Sequence, residues 1–201
     1  MSDEVPDLLY SDAERALSDA LASLLADRGG LDTALTRIES AQTYDDKLWQ
    51  AVAADLGCAG LLIPERDGGA GASYREAAVA AEVLGSHVAP VPFLGSAVVA
   101  TSALLSVAEG TAGLLAKMAD GSMTAALAVP FASAPGSGFP ASVRVAGPRP
   151  GDAATGVARL RGMVAGVADA LPAGVLLVPA DGVPNALYLA DMAPRAWPRR
   201  R

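Results

Sequence analysis

The chain has 201 residues, of which 52% are hydrophobic but only 4% aromatic, so its core must be built mainly from Ala, Leu and Val. Residues 1–120 hold 18 acidic and 7 basic side chains, whereas residues 121–201 hold 4 and 8, and this asymmetry predicts two domains. The bases before Arg144 stand singly among acids, which excludes the basic stripe of a nucleic-acid-binding protein. The single cysteine, Cys58, excludes an intrachain disulfide, and with the acidic N-terminus it predicts a cytoplasmic protein.

Three helix patterns occupy the first part of the chain. Apolar spacing predicts a helix over residues 7–28, with a capping box of Ser11 and Glu14. A short helix is predicted around residues 31–38, and a third runs from about Asp45 to Gly57. The apolar stripe assigned to the first helix consists of Leu9, Ala13, Leu17, Leu21 and Leu24.

Residues 60–71 cannot continue a helix, because Pro64 and three glycines in four positions interrupt it. This segment predicts a tight, structured loop. Ser73 and Glu76 then form a second capping-box pattern, which opens a helix that closes at Gly85. Further helices are predicted over residues 93–107 and 110–120.

Residues 85–108 carry no charged side chain and are long enough to cross a bilayer. Two prolines, a glycine and several hydroxyl side chains interrupt the run, and no Lys/Arg asymmetry flanks it. We therefore expect a buried helix and no membrane span.

From Met123 onwards short apolar runs alternate with Gly and Pro, which predicts strands. The predicted strands cover residues 123–129, 143–146, 157–160, 163–168, 174–179 and 186–190. Helices followed by strands predict an α+β protein, with an all-α helical domain over residues 1–121 and an incomplete β-barrel-like domain over residues 122–192. Residues 193–201 form an Arg/Pro tail, for which a solvated end is expected.

One stretch of the sequence resembles a known family. Leu48-Trp49 leads to Leu56-Gly57-x-x-Gly60-Leu-Leu-Ile-Pro64-Glu65, then to Gly68-Gly69-x-Gly71, and finally to Glu82-x-Leu84-Gly85. This order of helix, Pro-Glu turn, glycine-rich loop and further helix is similar to the N-terminal helical domain of acyl-CoA dehydrogenases. The resemblance extends more weakly over residues 7–192, and a full family member continues through its middle β domain into a C-terminal four-helix domain.

The resemblance implies an FAD-dependent conversion of an acyl-CoA thioester to its α,β-unsaturated product. In the family a glutamate of the C-terminal domain removes the α-proton, the flavin accepts the β-hydride, and hydrogen bonds stabilise the developing enolate. No residue of this chain occupies the position of that glutamate, so no catalytic residue is assigned and no activity of the chain alone is expected. Glu65 and Glu82 lie on elements that the family uses structurally, and solvated or capping carboxylates are expected there.

The resemblance also places two segments that contact the flavin. Family members carry a Thr-Glu-Pro-containing loop where this chain has residues 127–133, and a Trp-Ile-Thr-like strand where it has residues 166–168. The side chains that would touch the isoalloxazine are replaced here, which leaves backbone N–H groups for FAD. The candidate cofactor-binding residues carried over are Leu127, Ala128, Ser133, Val167 and Ala168.

The replacements suit a family member that works in a heteromeric pair in which one subunit holds flavin poorly. We therefore expect a homo- or hetero-oligomer with dehydrogenase subunits, with acyl-CoA as the substrate of the assembly.

Other candidate residues are better explained without a functional site. His87 has no Cys, carboxylate or second His at ligand spacing, so no metal site is predicted. Cys58 is expected to be a buried thiol and Trp49 a core residue. Residues 68–71 lack the ending of a P-loop and are expected to form a tight turn.

Three hypotheses remain open. The chain is the front half of an FAD-dependent dehydrogenase, a non-catalytic partner subunit, or a frameshifted remnant. The last of these is motivated by the Arg/Pro tail and by the open sheet edges of a half-built barrel.

Overall fold

The computed structural model describes residues 9–28, 31–40, 42–107, 110–134, 136, 138–139, 142–146, 159–180 and 187–192. Within these ranges helices come first and strands follow, as the sequence predicts. The α-helices are α1 (Asp12–Arg28), α2 (Leu31–Glu39), α3 (Asp46–Gln50), α4 (Tyr74–Ser86), α5 (Thr101–Leu105) and α6 (Ala112–Ala119).

Two of these helices are extended by wider, π-type helix. Helix α3 continues through Ala51–Asp55, and α5 is preceded by Phe93–Ala100, so that each pair forms one longer rod. Single 3₁₀ turns at Cys58–Gly60 and Glu65–Asp67 lie between α3 and α4.

The strands form two small sheets. They are β1 (Ala125–Leu127), β2 (Val143–Ala146), β3 (Arg159–Gly162), β4 (Val175–Pro179) and β5 (Leu187–Asp191). In the three-stranded sheet, ordered β1-β4-β5, β1 is parallel to β4 and β5 is antiparallel to it, whereas β2 and β3 form an antiparallel pair. The α+β class with an incomplete β part is confirmed.

The strand predicted over residues 163–168 is wrong. Gly166 has φ +67° and Asp169 has φ +51°, and these left-handed conformations turn the backbone away from an extended path. The strand predicted over residues 157–160 lies at β3 instead; residues 157 and 158 and the predicted tail are outside the described residues.

The first capping box is confirmed and does more than cap. The Ser11 amide donates to Glu14 Oε2 at 2.7 Å, and the Glu14 amide donates to Ser11 Oγ at 3.1 Å. Arg75 of α4 donates from Nε to Glu14 Oε1 at 2.7 Å. Glu14 is only 2% exposed while the Arg75 side chain is about half exposed, so this ion pair joins α1 to α4 at the edge of the core.

The predicted apolar stripe of α1 is partly wrong. Leu9 precedes the helix and is 73% exposed, and Ala13 is exposed as well. The buried stripe is instead formed by Leu21 and Leu25, with Leu17 and Leu24 packed beside them. The shift follows from the capping box, which starts the helix at Asp12 and so removes Leu9 from it.

The glycine-rich loop is a tight turn, as predicted. The Ala70 amide donates to the Gly60 carbonyl at 2.9 Å, and the Gly71 amide donates to the Ile63 carbonyl at 2.8 Å. A Cβ at Gly69 would lie 2.1 Å from the Ile63 carbonyl oxygen, so no side chain fits there. The loop thus folds onto the fully buried Ile63.

The helices and the strands share a core. A cluster of buried apolar side chains combines Ile63, helices α5 and α6, and strands β1 and β4; its members include Leu104, Met118, Ala125 and Leu177. The Ala125 amide of β1 also donates to the buried Ser96 Oγ at 3.1 Å. The domain boundary at residue 121 stays a prediction, because the packing of this cluster runs across it.

Substitution of Gly69 by Ala should destabilise the protein by about 1–3 kcal/mol, because the new methyl group collides with the Ile63 backbone. Gly113 of α6 is the matched control, since a Cβ there meets nothing within 4 Å and Ala favours a helix by about 1 kcal/mol over Gly. Urea denaturation of both variants measures the difference. Equal stabilities for Gly69→Ala and the wild type would contradict the tight loop.

The ion pair should give the stability a characteristic pH dependence. Hydrogen bonds from Arg75 and from the Ser11 amide lower the pKa of Glu14 from 4.5 to about 2. A lowered folded-state pKa stabilises the fold above pH 4.5, and this stabilisation disappears as the pH falls towards 2. Between those pH values the unfolding temperature should therefore fall less steeply with pH in Glu14→Gln than in the control Asp19→Asn. Asp19 is an exposed acid of the same helix. Identical pH profiles would exclude this role of Glu14.

Candidate functional site

The two segments that the sequence assigns to a cofactor lie side by side. The Phe131 amide donates to the Gly166 carbonyl at 2.8 Å, which joins residues 127–133 to residues 166–168, the second assigned segment, at the end of the stretch 163–168. The first segment follows directly from β1, and the second follows from β3. The fold therefore brings both predicted segments to one place, although the second is a loop and not a strand.

Backbone amides of the first segment are already engaged within the chain. The Ala128 amide donates to the Leu177 carbonyl at 2.8 Å, which extends the pairing of β1 with β4 by one residue. The Ser133 amide donates to the Pro130 carbonyl at 2.9 Å, and the Phe131 amide is bound to Gly166. These three N–H groups are therefore not free to bind a flavin.

The predicted cofactor residues differ in accessibility. Leu127 is half-buried and packs against the core shared by helices and strands, while Ala128 is buried. Val167 and Ala168 are half-buried, and Ser133 is exposed. Within the described residues, the loop pair thus offers a serine hydroxyl and the exposed ring of Phe131, which do not by themselves complete a flavin site.

Asp169 connects the second segment to the helices. Its Oδ2 accepts a hydrogen bond from the Gly95 amide at 2.7 Å, and its Oδ1 accepts one from the Tyr44 hydroxyl at 3.1 Å. Gly95 lies in the first turn of the rod that begins at Phe93, where backbone N–H groups lack helical partners. Asp169 therefore caps a helix from a distant part of the chain.

The environment of this contact shifts both ionisable groups. Burial raises the pKa of Asp169, against the lowering effect of its hydrogen bonds from Gly95 and Tyr44. Burial, followed by the Asp169 charge, raises the pKa of Tyr44 to about 12. The phenol thus stays protonated and remains a donor. Sequence reasoning missed both residues, because nothing local marks a contact across 125 positions.

A cavity of about 190 Å³ lies next to Tyr44. It is lined by residues of α3, by residues that directly precede β1, and by Pro172. The lining includes Asp46, Trp49, Gly121 and Thr124. Trp49 is a core residue, as predicted, and its buried Nε1 has no hydrogen-bond partner among the described groups.

The remaining candidates hold structural places. His87 is the C-terminal cap of α4, with Nδ1 2.9 Å from the Val83 carbonyl oxygen, and Glu82 accepts a hydrogen bond from the Tyr10 hydroxyl. Glu65 is exposed in the turn Glu65–Asp67. Among the described residues no group of three His, Cys, Asp or Glu side chains could hold a metal ion. No helix in the described ranges is both long and apolar enough to span a membrane.

Comparison with known sequences identifies what the helical part is similar to. Residues 11–122 match the family described as acyl-CoA dehydrogenase, N-terminal domain. The chain is 37% identical over 111 residues to acyl-CoA dehydrogenase IpdE2 of Mycobacterium tuberculosis, and 36% identical over 111 residues to IpdE2 of Mycolicibacterium smegmatis. Each match covers 55% of this chain and 35% of the relative, so the matched region is about a third of those proteins.

Solved structures extend the likeness to the strands. A variant of the Tcur3481-Tcur3483 steroid ACAD superposes with a TM-score of 0.70 at 28% identity, over 90% of this chain and 48% of that one. The ChsE4-ChsE5 complex from Mycobacterium tuberculosis gives a TM-score of 0.72 at 24% identity, over 92% of this chain and 49% of that one, and supports the fold alone. The chain thus spans about half the length of these structures.

Cys58 should resist thiol reagents in the native protein. It is fully buried, and this burial raises the pKa of its thiol to about 11, so little reactive thiolate forms near neutral pH. Ellman's reagent should react only after denaturation in guanidinium chloride, which serves as the control for a free thiol. Rapid reaction of the folded protein would show that the apolar core around Cys58, which includes Leu21 and Trp49, opens readily.

Proposed function

Since the chain belongs to the acyl-CoA dehydrogenase family, we propose that it contributes the helical domain and the first strands to an FAD-dependent enzyme that dehydrogenates acyl-CoA thioesters at the α,β position. One observation carries the proposal: the match to the family's N-terminal domain over residues 11–122, in a fold that superposes on a 28% identical ACAD over 90% of the chain. The finer parts of the proposal concern the partner, the flavin and the base.

We infer that another dehydrogenase subunit supplies the catalytic base. The carboxylates singled out by sequence have other places: Glu65 lies in the turn after Pro64, and Glu82 is bound by Tyr10. Asp169 is engaged by Gly95 and Tyr44. A base must reach the proton that it removes, and Glu82 and Asp169 are held by hydrogen bonds within the chain, while Glu65 lies exposed in its turn.

A heteromeric assembly also accounts for the loop pair. Four amides of residues 127–133, that of Val129 included, are bound within the chain. Where family members have the Thr and Glu of their loop, this sequence has Ala128 and Val129. The 28% identical neighbour, the Tcur3481-Tcur3483 steroid ACAD, is named as a pair of proteins, which favours the same arrangement here. A non-catalytic subunit, with flavin held chiefly by the partner, is therefore the second candidate function. The single buried cysteine suits the reducing cytoplasm.

Co-expression with a complete acyl-CoA dehydrogenase subunit tests the proposal. Purification through a tag on this chain should give a yellow complex with flavin absorbance that is bleached by acyl-CoA, whereas the chain alone should be colourless. A chain that elutes as a sharp monomer peak without the dehydrogenase subunit would contradict the proposal.

Two variants separate the candidate functions. If the chain contacts the flavin, Ser133→Ala should weaken flavin binding by up to about tenfold, the value of one hydrogen bond. Ser106→Ala removes an exposed hydroxyl from the end of α5 and should change nothing. Unchanged flavin affinity in both variants would favour the non-catalytic subunit.

A further inference from the structure

We propose that Asp169 is a positioning residue that sets both cofactor-assigned loops, residues 127–133 and 163–168, relative to the helical domain. The inference deepens the proposed function and rests on it for what these loops face. Its structural part, the coupling of two loops to one carboxylate, stands on the contacts of the described residues.

The first step is that Asp169 is held from two separate helical elements. Gly95 donates from the first turn of the rod Phe93–Ala100 at 2.7 Å, and Tyr44 donates from the segment before α3 at 3.1 Å. Both carboxylate oxygens are thus engaged. A negative charge at the start of a helix is favoured by the helix dipole as well as by the free amide.

The second step is that Asp169 packs so closely against Gly95 that no side chain fits between them. A Cβ at Gly95 would lie 2.6 Å from the Asp169 Cβ and 3.0 Å from the Ala168 carbonyl oxygen. The backbone of Asp169 has φ +51°, a conformation that residues other than glycine rarely adopt, so the surrounding contacts must stabilise it. Residues 168 and 169 therefore pack directly against the helical segment Phe93–Ala100.

The third step is that the position of Asp169 also determines the position of residues 127–133. Gly166, three residues before Asp169, accepts the Phe131 amide at 2.8 Å. Residues 127–133 otherwise continue from β1, whose pairing with β4 ends at Leu127 and is prolonged only by the Ala128 amide. The outer part of the loop, with exposed Phe131 and Ser133, is thus placed through Gly166 and Asp169.

Hydrogen–deuterium exchange of the purified chain tests the coupling without any flavin. Asp169→Ala should accelerate exchange about tenfold in residues 127–133 and in residues 163–172, because a hydrogen bond to a charged group is lost. Glu76→Ala is the matched control: Glu76 is a carboxylate that accepts the Ser73 amide at 2.9 Å in the capping box of α4. It should loosen α4 and leave both loops unchanged.

Milder variants keep the test valid if Asp169→Ala does not fold. Tyr44→Phe removes one of the two hydrogen bonds and should accelerate exchange in the same two segments by a smaller factor. Asp169→Asn keeps one amide oxygen as an acceptor and should restore part of the protection. Faster exchange that is confined to residues 163–172, or that equals the pattern of Glu76→Ala, would overturn the proposal.

The flavin is measured separately, in the complex with a dehydrogenase subunit. Flavin affinity of the folded complex should fall about tenfold in Asp169→Ala and stay unchanged in Glu76→Ala. A wild-type complex without flavin would count against the proposed function, while the exchange data would still decide the coupling. Coupled exchange with unchanged flavin affinity in a flavin-containing complex would overturn the positioning role.

Discussion

The packing of this chain depends on the close approach of its segments at glycine residues. With few aromatic side chains, the core cannot be filled by large rings, so its segments must approach closely. Gly69 lies against the backbone of Ile63, and Gly121, with φ +74°, would place a Cβ 2.8 Å from that of Ala53. Gly95 receives Asp169 in the same way. These contacts fix the glycine-rich loop, the end of α6 and the second cofactor-assigned loop against the helices.

Local signals in the sequence were sufficient for most of the helical domain. Both capping boxes are present, because Ser and Glu at three-residue spacing bond to each other's backbone amides wherever the chain turns into a helix. The glycine-rich turn and the buried thiol at Cys58 follow from equally local chemistry. The error in the stripe of α1 has the same origin, since Leu9 continues the apolar spacing but lies before the cap.

The β part could be predicted only in outline. Short apolar runs marked all five strands of the described residues, β3 only in part, but the run at residues 163–168 has the same composition and folds as a loop. Its course is set by Asp169, whose partners Gly95 and Tyr44 lie far away in sequence. A left-handed aspartate gives no compositional signal, unlike a glycine. The resemblance to a family identified the two loops, yet it could not show that the Phe131 amide and the apolar contact cluster of Ala128 and Val164 join them.

The parallel pairing of β1 with β4 has a consequence for how the chain folds during synthesis. Ala125 pairs with Val175, so β1 leaves the ribosome about fifty residues before its neighbour exists. At about 5–20 residues per second, this apolar strand waits roughly 2–10 s without its partner. The members of the shared cluster outside the strands, among them Ile63, Leu104 and Met118, all precede β1 in the chain. Once folded, the helices therefore provide an apolar surface against which β1 can pack. This packing would protect β1 from contact with other chains until β4 is synthesised.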